Sequence, residues 1–156
     1  MKIKLIAVGN KMPAWVEAGV EEYQKRLPAD FSLSIREIPP AMRTKNSDLK
    51  ACMEKEAEGI RRALEKNDFV VALDVTGKHL STEKLAASLQ GLRDEARDLA
   101  FLVGGADGLA ASILKESDAK WSLSALTFPH PLVRIIVAEQ IYRAWSLLQG
   151  HPYHRQ

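Results

Sequence analysis

Among 156 residues there is one cysteine, Cys52. An internal disulfide is therefore excluded, no Cys/His spacing resembles a zinc site, and a reducing, cytoplasmic setting fits. No metal is expected. No apolar run reaches the roughly 18 residues that a membrane-spanning helix needs, and the opening stretch Met1 to Val8 is too short for the apolar region of a signal peptide. The expectation is a soluble protein without membrane contact. Low-complexity tracts, internal repeats and linker-like segments are lacking too. Neither sign of charge dominates, since 22 Lys and Arg face 20 Asp and Glu for a net charge of +2 and a pI near 8.7. That balance permits contact with phosphate but does not by itself argue for nucleic acid.

What is present is an ordinary globular mixture, 46% hydrophobic and 27% charged, in a chain of one-domain length that can bury roughly 70% of its unfolded surface. A single domain over residues 1–156 is expected. Ile3 to Val8 is a short β-branched run closed by Gly9 and reads as a buried strand. Pro13 suits the start of a helix whose apolar spacing continues to Pro28. Phe31 to Ile38 alternates as a second strand, and Ser47 is placed to cap a long helix to about Lys66. Phe69 to Asp74 reads as the third strand with Val75 to Lys78 as its turn, and Ser81 as the cap of a helix from Thr82 to about Ala96. Leu99 to Val103 is a fourth strand, then come a short helix from about Leu109 to Glu116, a weak strand Trp121 to Ser124, and a last helix from about Pro131 to Leu148. Strands apolar throughout, separated by helices, predict an α/β fold with a parallel sheet covered by helices on both faces.

The last helix is apolar nearly all round, from Val133 to Leu148, with only a narrow stripe of Glu139, Gln140, Arg143 and Ser146. A small domain has few places to cover such a helix, so a homodimer interface is expected. Arg134 sits on the apolar face in the first turn, where the helix dipole disfavours a cation. Either its head snorkels to water or it meets an anionic ligand or a carboxylate. Glu139 and Arg143, four apart, read as a helix-surface ion pair.

Gly104-Gly105-Ala106-Asp107-Gly108 follows a strand and precedes a helix, where α/β sheets bind ligands, although a tight turn would need glycine anyway. The loop lacks GxGxxG and the Lys-Ser/Thr of a phosphate-gripping loop, and it carries Asp107, which repels phosphate. A hydroxylated or cationic ligand fits better, and S-adenosylmethionine, a sulfonium without phosphate, is one. The segment Leu123-Ser124-Ala125-Leu126-Thr127-Phe128-Pro129-His130-Pro131 offers small, apolar and hydroxyl side chains fixed by prolines, a surface for flat adenine or an ordinary loop.

Taken together, Leu73-Asp74, the glycine loop, Trp121 to Thr127, Pro129-His130-Pro131-Leu132-Val133-Arg134, Ala138 to Ala144 and the ending His151-Pro152-Tyr153-His154-Arg155 resemble the bacterial 23S ribosomal RNA pseudouridine N3-methyltransferases of the SPOUT class. The likeness spans the whole chain, with Val8-Gly9 and Lys11-Met12-Pro13 at its start. It implies a homodimer with a C-terminal trefoil knot that binds S-adenosylmethionine. It also implies a substrate pseudouridine in a large-subunit hairpin loop, met on assembled ribosomes. By that likeness Leu73, Gly104, Gly105, Leu123, Ser124, Ala125, Leu126, Thr127 and Phe128 hold the cofactor. Asp107 carries over least firmly, and its role stays open.

The reaction needs the imide proton removed and the nitrogen aligned with the sulfonium methyl. His130 and His154 are the candidate bases. Arg143 and Arg155 offer donors for phosphate or for the developing imide anion, and Arg134 a further cation for RNA. Tyr153 could stack on a displaced base, with Tyr142 nearby in sequence, and Lys11, Arg43 and Lys45 are candidate phosphate contacts. The dimer implies that one subunit's tail completes its partner's site. The rival readings are a ribosome-binding factor without catalysis and an enzyme of this fold acting on transfer RNA or on another base.

Overall fold

The computed structural model describes residues 1–155. Its elements are β1 (Lys2–Val8), α1 (Ala14–Gln24), β2 (Ser32–Ile38), α2 (Leu49–Ala63), β3 (Asp68–His79), α3 (Thr82–Asp94), β4 (Asp98–Val103), α4 (Ala111–Glu116), β5 (Ala119–Ser122), α5 (His130–Gln149) and a 3-10 turn, Pro152–Arg155. The strands form one sheet in the order β2-β1-β4-β3-β5, with every pairing parallel.

Side chains along a strand alternate between faces, and here that alternation builds two cores. Ile3, Leu5 and Ala7 of β1, with Leu99 and Phe101 of β4, pack against Val20, Leu89, Val137 and Ile141 from α1, α3 and α5. Ile6 and Val8, with Ala100 and Leu102, pack against Ala57 and Ile60 of α2 and Ile113 of α4. The expected parallel sheet with helices on both faces is what the chain forms.

The boundaries depart from the sequence reading where side chains compete for backbone groups. Asp48, not Ser47, caps α2 by accepting from Lys50 N at 3.0 Å, because Ser47 Oγ is used by Thr44 N at 2.6 Å. That helix stops at Ala63, where Leu64 turns extended. Ser81 does cap α3, accepting from Lys84 N at 3.2 Å, and the helix ends early as Ala96 takes a left-handed φ of 56°. Val75 to Lys78 is no terminal turn: β3 runs through it to His79, and Trp121 of β5 pairs first with Leu73 and then with Lys78. The residues between bulge out, with Asp74 Oδ2 accepting from Thr76 N at 3.1 Å. Gly77 is required there, since a Cβ would lie 2.6 Å from the Trp121 carbonyl carbon. Strand β5 ends at Ser122, so Leu123 and Ser124 leave the sheet and open the segment that leads to α5.

Helix α5 lies against α1 and α3, which bury Val137, Ala138, Ile141, Tyr142 and Ala144. Much of the cover expected from a second subunit thus comes from the chain itself. Leu132 on α5 and Trp15 on α1 stay 38% and 55% exposed. No helix among the described residues is long and apolar enough to cross a membrane.

Candidate active site

The carboxyl ends of β4 and β5, at Val103 and Ser122, meet β3 at Leu73, the residue before its bulge. Two adjoining cavities open there. The larger, about 420 Å³, lies between the start of α3, the face of α5 that carries Ile136 and Gln140, and Trp121 and Phe128. The smaller, about 120 Å³, is bounded by Leu73, Val75, Val103, Leu126, Thr127 and Val133. Leu73, Ser122, Leu123, Ser124 and Phe128 line both, so the segment after β5 is the wall between them. Ser124 holds that wall in shape, its Oγ accepting from Leu126 N at 2.9 Å and its carbonyl accepting from Ser122 Oγ at 2.9 Å. Pockets of a few hundred Å³ with apolar walls and few polar groups are of the size that takes a nucleoside-sized ligand.

Seven of the expected cofactor residues meet here in part: Leu73, Leu123, Ser124, Leu126, Thr127 and Phe128 line a cavity, while Ala125 is exposed at the crest of the segment. Gly104 and Gly105 line neither cavity but begin one residue past Val103, which does. Their loop is a tight turn in which Gly108 N donates to Gly105 O at 3.1 Å. A Cβ on Gly104 would lie 2.3 Å from the Gly108 carbonyl carbon, which forbids any side chain, whereas one on Gly105 would meet side chains alone, Val8 Cγ1 at 3.1 Å and Glu56 Oε1 at 3.8 Å.

His130 stands at the first turn of α5, beside Gly9 and Arg134. Gly9 has φ +141°, and a Cβ there would sit 3.2 Å from the imidazole, so glycine admits the ring. Burial, and then the charge of Arg134, push the His130 pKa below its usual value. The ring is therefore neutral near pH 7, and its buried Nε2 has no partner among the described residues.

Arg134 neither snorkels nor faces solvent. It is 4% exposed, and its guanidinium donates to Glu37 Oε2 at 3.3 Å and to Gly9 O at 3.2 Å. The carboxylate alternative is the one realised, within the chain. Tyr142 is likewise buried, stacked on Trp145 at 5.8 Å and edge-on to Tyr153 at 4.6 Å. In this arrangement neither Arg134 nor Tyr142 presents a surface to RNA. Lys11, with φ 54°, and Lys45 are exposed. Arg43 is held by Glu56 and Asp107.

The tail is not frayed. Gly150 takes φ +68°, Gly150 N donates to Leu147 O at 3.2 Å and His151 N to Ser146 O at 2.8 Å, the pattern of a Schellman turn. The chain then folds back on α5, where Tyr153 Oη donates to Glu139 Oε1 at 3.2 Å and Arg143 pairs with the same carboxylate at 2.6 Å. Burial, with the hydrogen bond to Tyr23 next, pushes the Tyr153 phenol up to about 12. His154 Nδ1 is buried without a partner among the described residues, and Arg155 is exposed. None of His130, Arg143, His154 and Arg155 lines either cavity.

Sequence reasoning missed Glu56, a carboxylate buried to 4% exposure. Its signal was there: it lies four residues from both Cys52 and Ile60, on the buried stripe of α2. Among the described residues no group of three metal-binding side chains occurs.

A family model described as "Predicted SPOUT methyltransferase" matches residues 1–154. The ribosomal RNA large subunit methyltransferase H of Chromohalobacter salexigens is 54% identical over 155 residues, covering 99% of this chain and 100% of that protein. The protein of the same name from Thioalkalivibrio sulfidiphilus is 54% identical over 156 residues, with both chains fully covered. Among solved structures, a probable methylase family protein of Haemophilus influenzae superposes with a TM-score of 0.58 at 10% identity, over 97% of this chain and 69% of that one, a likeness of fold alone. With a single family model running almost end to end over the sheet, the glycine loop and the tail, this chain belongs to the SPOUT methyltransferases, enzymes that draw on a methyl donor.

Proposed function

We propose that this protein transfers the methyl group of S-adenosylmethionine to N3 of a pseudouridine in a hairpin loop of 23S ribosomal RNA, on assembled ribosomes in the cytoplasm. One observation carries the reading: the paired cavities on either side of Ser124 form an apolar cradle with no phosphate-gripping loop, in a chain 54% identical end to end to proteins named ribosomal RNA large subunit methyltransferase H. S-adenosylmethionine fits that donor set, since the walls offer apolar faces to adenine and Ser124, Thr127 and the loop backbone offer polar groups to a ribose. When bound, it supplies an electrophilic methyl on sulfur. Leu73, Gly104, Gly105 and the segment Leu123 to Phe128 hold it, in a C-terminal half that this reading takes to be knotted.

The chain's own residues then have to strip the imide proton, align the nitrogen with the methyl and exclude water. The new N3–C bond forms as the C–S bond breaks, and the imide proton passes to a base. Neutral His130 can accept it at Nε2; His154 is the second candidate. Arg143 and Arg155 offer donors to the imide anion and to phosphate, with Arg143 aimed by Glu139. Tyr153 is turned towards Tyr142 and Glu139, so stacking on a base requires it to leave that cluster.

Because none of the four catalytic candidates lines its own chain's cavities, the reading includes a homodimer in which the tail of one subunit completes the site of the other. The exposed Trp15 and Leu132 supply apolar area for it. Tritium transfer from labelled S-adenosylmethionine to ribosomes and to naked ribosomal RNA tests the proposal. Label is expected on ribosomes, in N3-methylpseudouridine, and label confined to another nucleoside would refute it.

A further inference from the structure

Arg43 ties the loop between β2 and α2 to the glycine loop. Arg43 Nη1 donates to Glu56 Oε2 at 2.8 Å and to Ala41 O at 3.1 Å, and Nη2 donates to Glu56 Oε1 at 3.2 Å. Its Nε donates to Asp107 Oδ2 at 2.7 Å. Glu56 also accepts from Ala41 N at 3.0 Å. These four arginine bonds join three separate segments, and they use most of a guanidinium's five N–H groups. Arg43 therefore has little left to offer a phosphate, which displaces its reading as an RNA contact.

The network sits under the donor loop. A Cβ built on Gly105 would lie 3.8 Å from Glu56 Oε1, and the loop's other end is a Gly108 at φ +82°. Between them Ala106 and Asp107 are exposed, so apart from the bond from Gly108 N to Gly105 O the tip is held by what Asp107 grips. Asp107 is also no longer a bare anion at the loop: the guanidinium offsets its charge, and the phosphate-repelling argument drawn from sequence loses its force.

We infer that Arg43 is a positioning residue that latches the glycine loop, through Asp107, onto the buried Glu56 of α2, and that the latched loop is the form that receives the methyl donor. The inference rests on the reading of this loop as part of the S-adenosylmethionine cradle. Asp107 acts through Arg43 and does not itself touch the ligand.

The test is a double-mutant cycle on the full chain. Asp107→Ala removes the acceptor of the latch and leaves Arg43 on Glu56. Arg43→Gln keeps amide donors for Glu56, so the buried carboxylate is not orphaned. Calorimetry with S-adenosylmethionine and hydrogen exchange of the amides of residues 104–109 without ligand are the two readouts. Each single variant is expected to bind about 10-fold more weakly and to exchange faster in the loop, and the double variant to do no worse than either. Wild-type affinity and exchange in Asp107→Ala would overturn the latch. So would independent losses multiplying to about 100-fold in the double variant, the mark of a direct ligand contact. If the unaltered protein failed to bind S-adenosylmethionine, the functional reading would fall, and loop exchange would still decide the latch: faster exchange in both variants supports it, unchanged exchange refutes it.

Discussion

Tyr153 donates its hydroxyl to Glu139 at 3.2 Å, and so the tail that the functional reading needs for catalysis is held against the last helix by the same carboxylate that aims Arg143. Glu139→Gln weakens both contacts at once. Its expected effect is at least a 10-fold loss of turnover with S-adenosylmethionine affinity unchanged, read by methyl transfer to ribosomes beside calorimetry. A matching loss of affinity would move Glu139 into the cofactor cradle and contradict the assignment.

The two glycines at the end of β4 should separate. Gly104→Ala places a methyl 2.3 Å from backbone and cannot be absorbed by a side-chain movement. Gly105→Ala is tight against Val8 alone, at 3.1 Å, a side chain that can shift by a few tenths of an ångström. Thermal melts should show Gly104→Ala as strongly destabilised, by about 2 kcal/mol or more, and Gly105→Ala by about 1 kcal/mol. Equal effects would mean that the loop relaxes as a unit.

Stability should depend on pH through His130. Its folded pKa lies below the unfolded value of about 6.5, so the native state binds fewer protons than the unfolded chain. The contribution is complete above that value and is lost as pH falls from about 6.5 towards the folded pKa. His130→Gln is expected to flatten the fall in melting temperature between about pH 7 and pH 5. A slope identical to that of the unaltered protein would refute the assignment.

Arg134→Met removes a buried cation and leaves Glu37, which reaches solvent. The Gly9 carbonyl also loses a donor. A destabilisation of about 1–3 kcal/mol is expected from chemical denaturation, smaller than for a pair buried at both ends. If binding to ribosomes fell with no change in stability, Arg134 would be an RNA contact after all.

Much of the frame was legible in sequence because its signals are local. The apolar runs at Ile3 to Val8 and Leu99 to Val103, short, closed by glycine and apolar throughout, read as buried strands, and the Ser81 cap announced α3. Arg134 was conspicuous as a charge on an apolar face, but Glu37 lies 97 residues earlier, and no spacing rule joins them. Arg43 and Asp107, 64 residues apart, were each read alone, one as a phosphate contact and the other as a repelling charge. The turn chemistry of Val75 to Lys78 misled for a related reason: the residues bend the chain, but pairing with Trp121 keeps the bend inside the sheet. The cavities themselves arise where Leu123 to Phe128 crosses between β3 and α5, a tertiary juxtaposition that no local pattern encodes.

The most direct test of the account is mass mapping of the nucleosides labelled when ribosomes from cells lacking the activity are incubated with this protein and tritiated S-adenosylmethionine. The account predicts methyl transfer to N3 of a single pseudouridine of the large-subunit RNA, abolished by His154→Ala and Arg155→Ala while both variants still bind S-adenosylmethionine. Methyl transfer to any other nucleoside, or none from a protein that binds S-adenosylmethionine and ribosomes together, would contradict it.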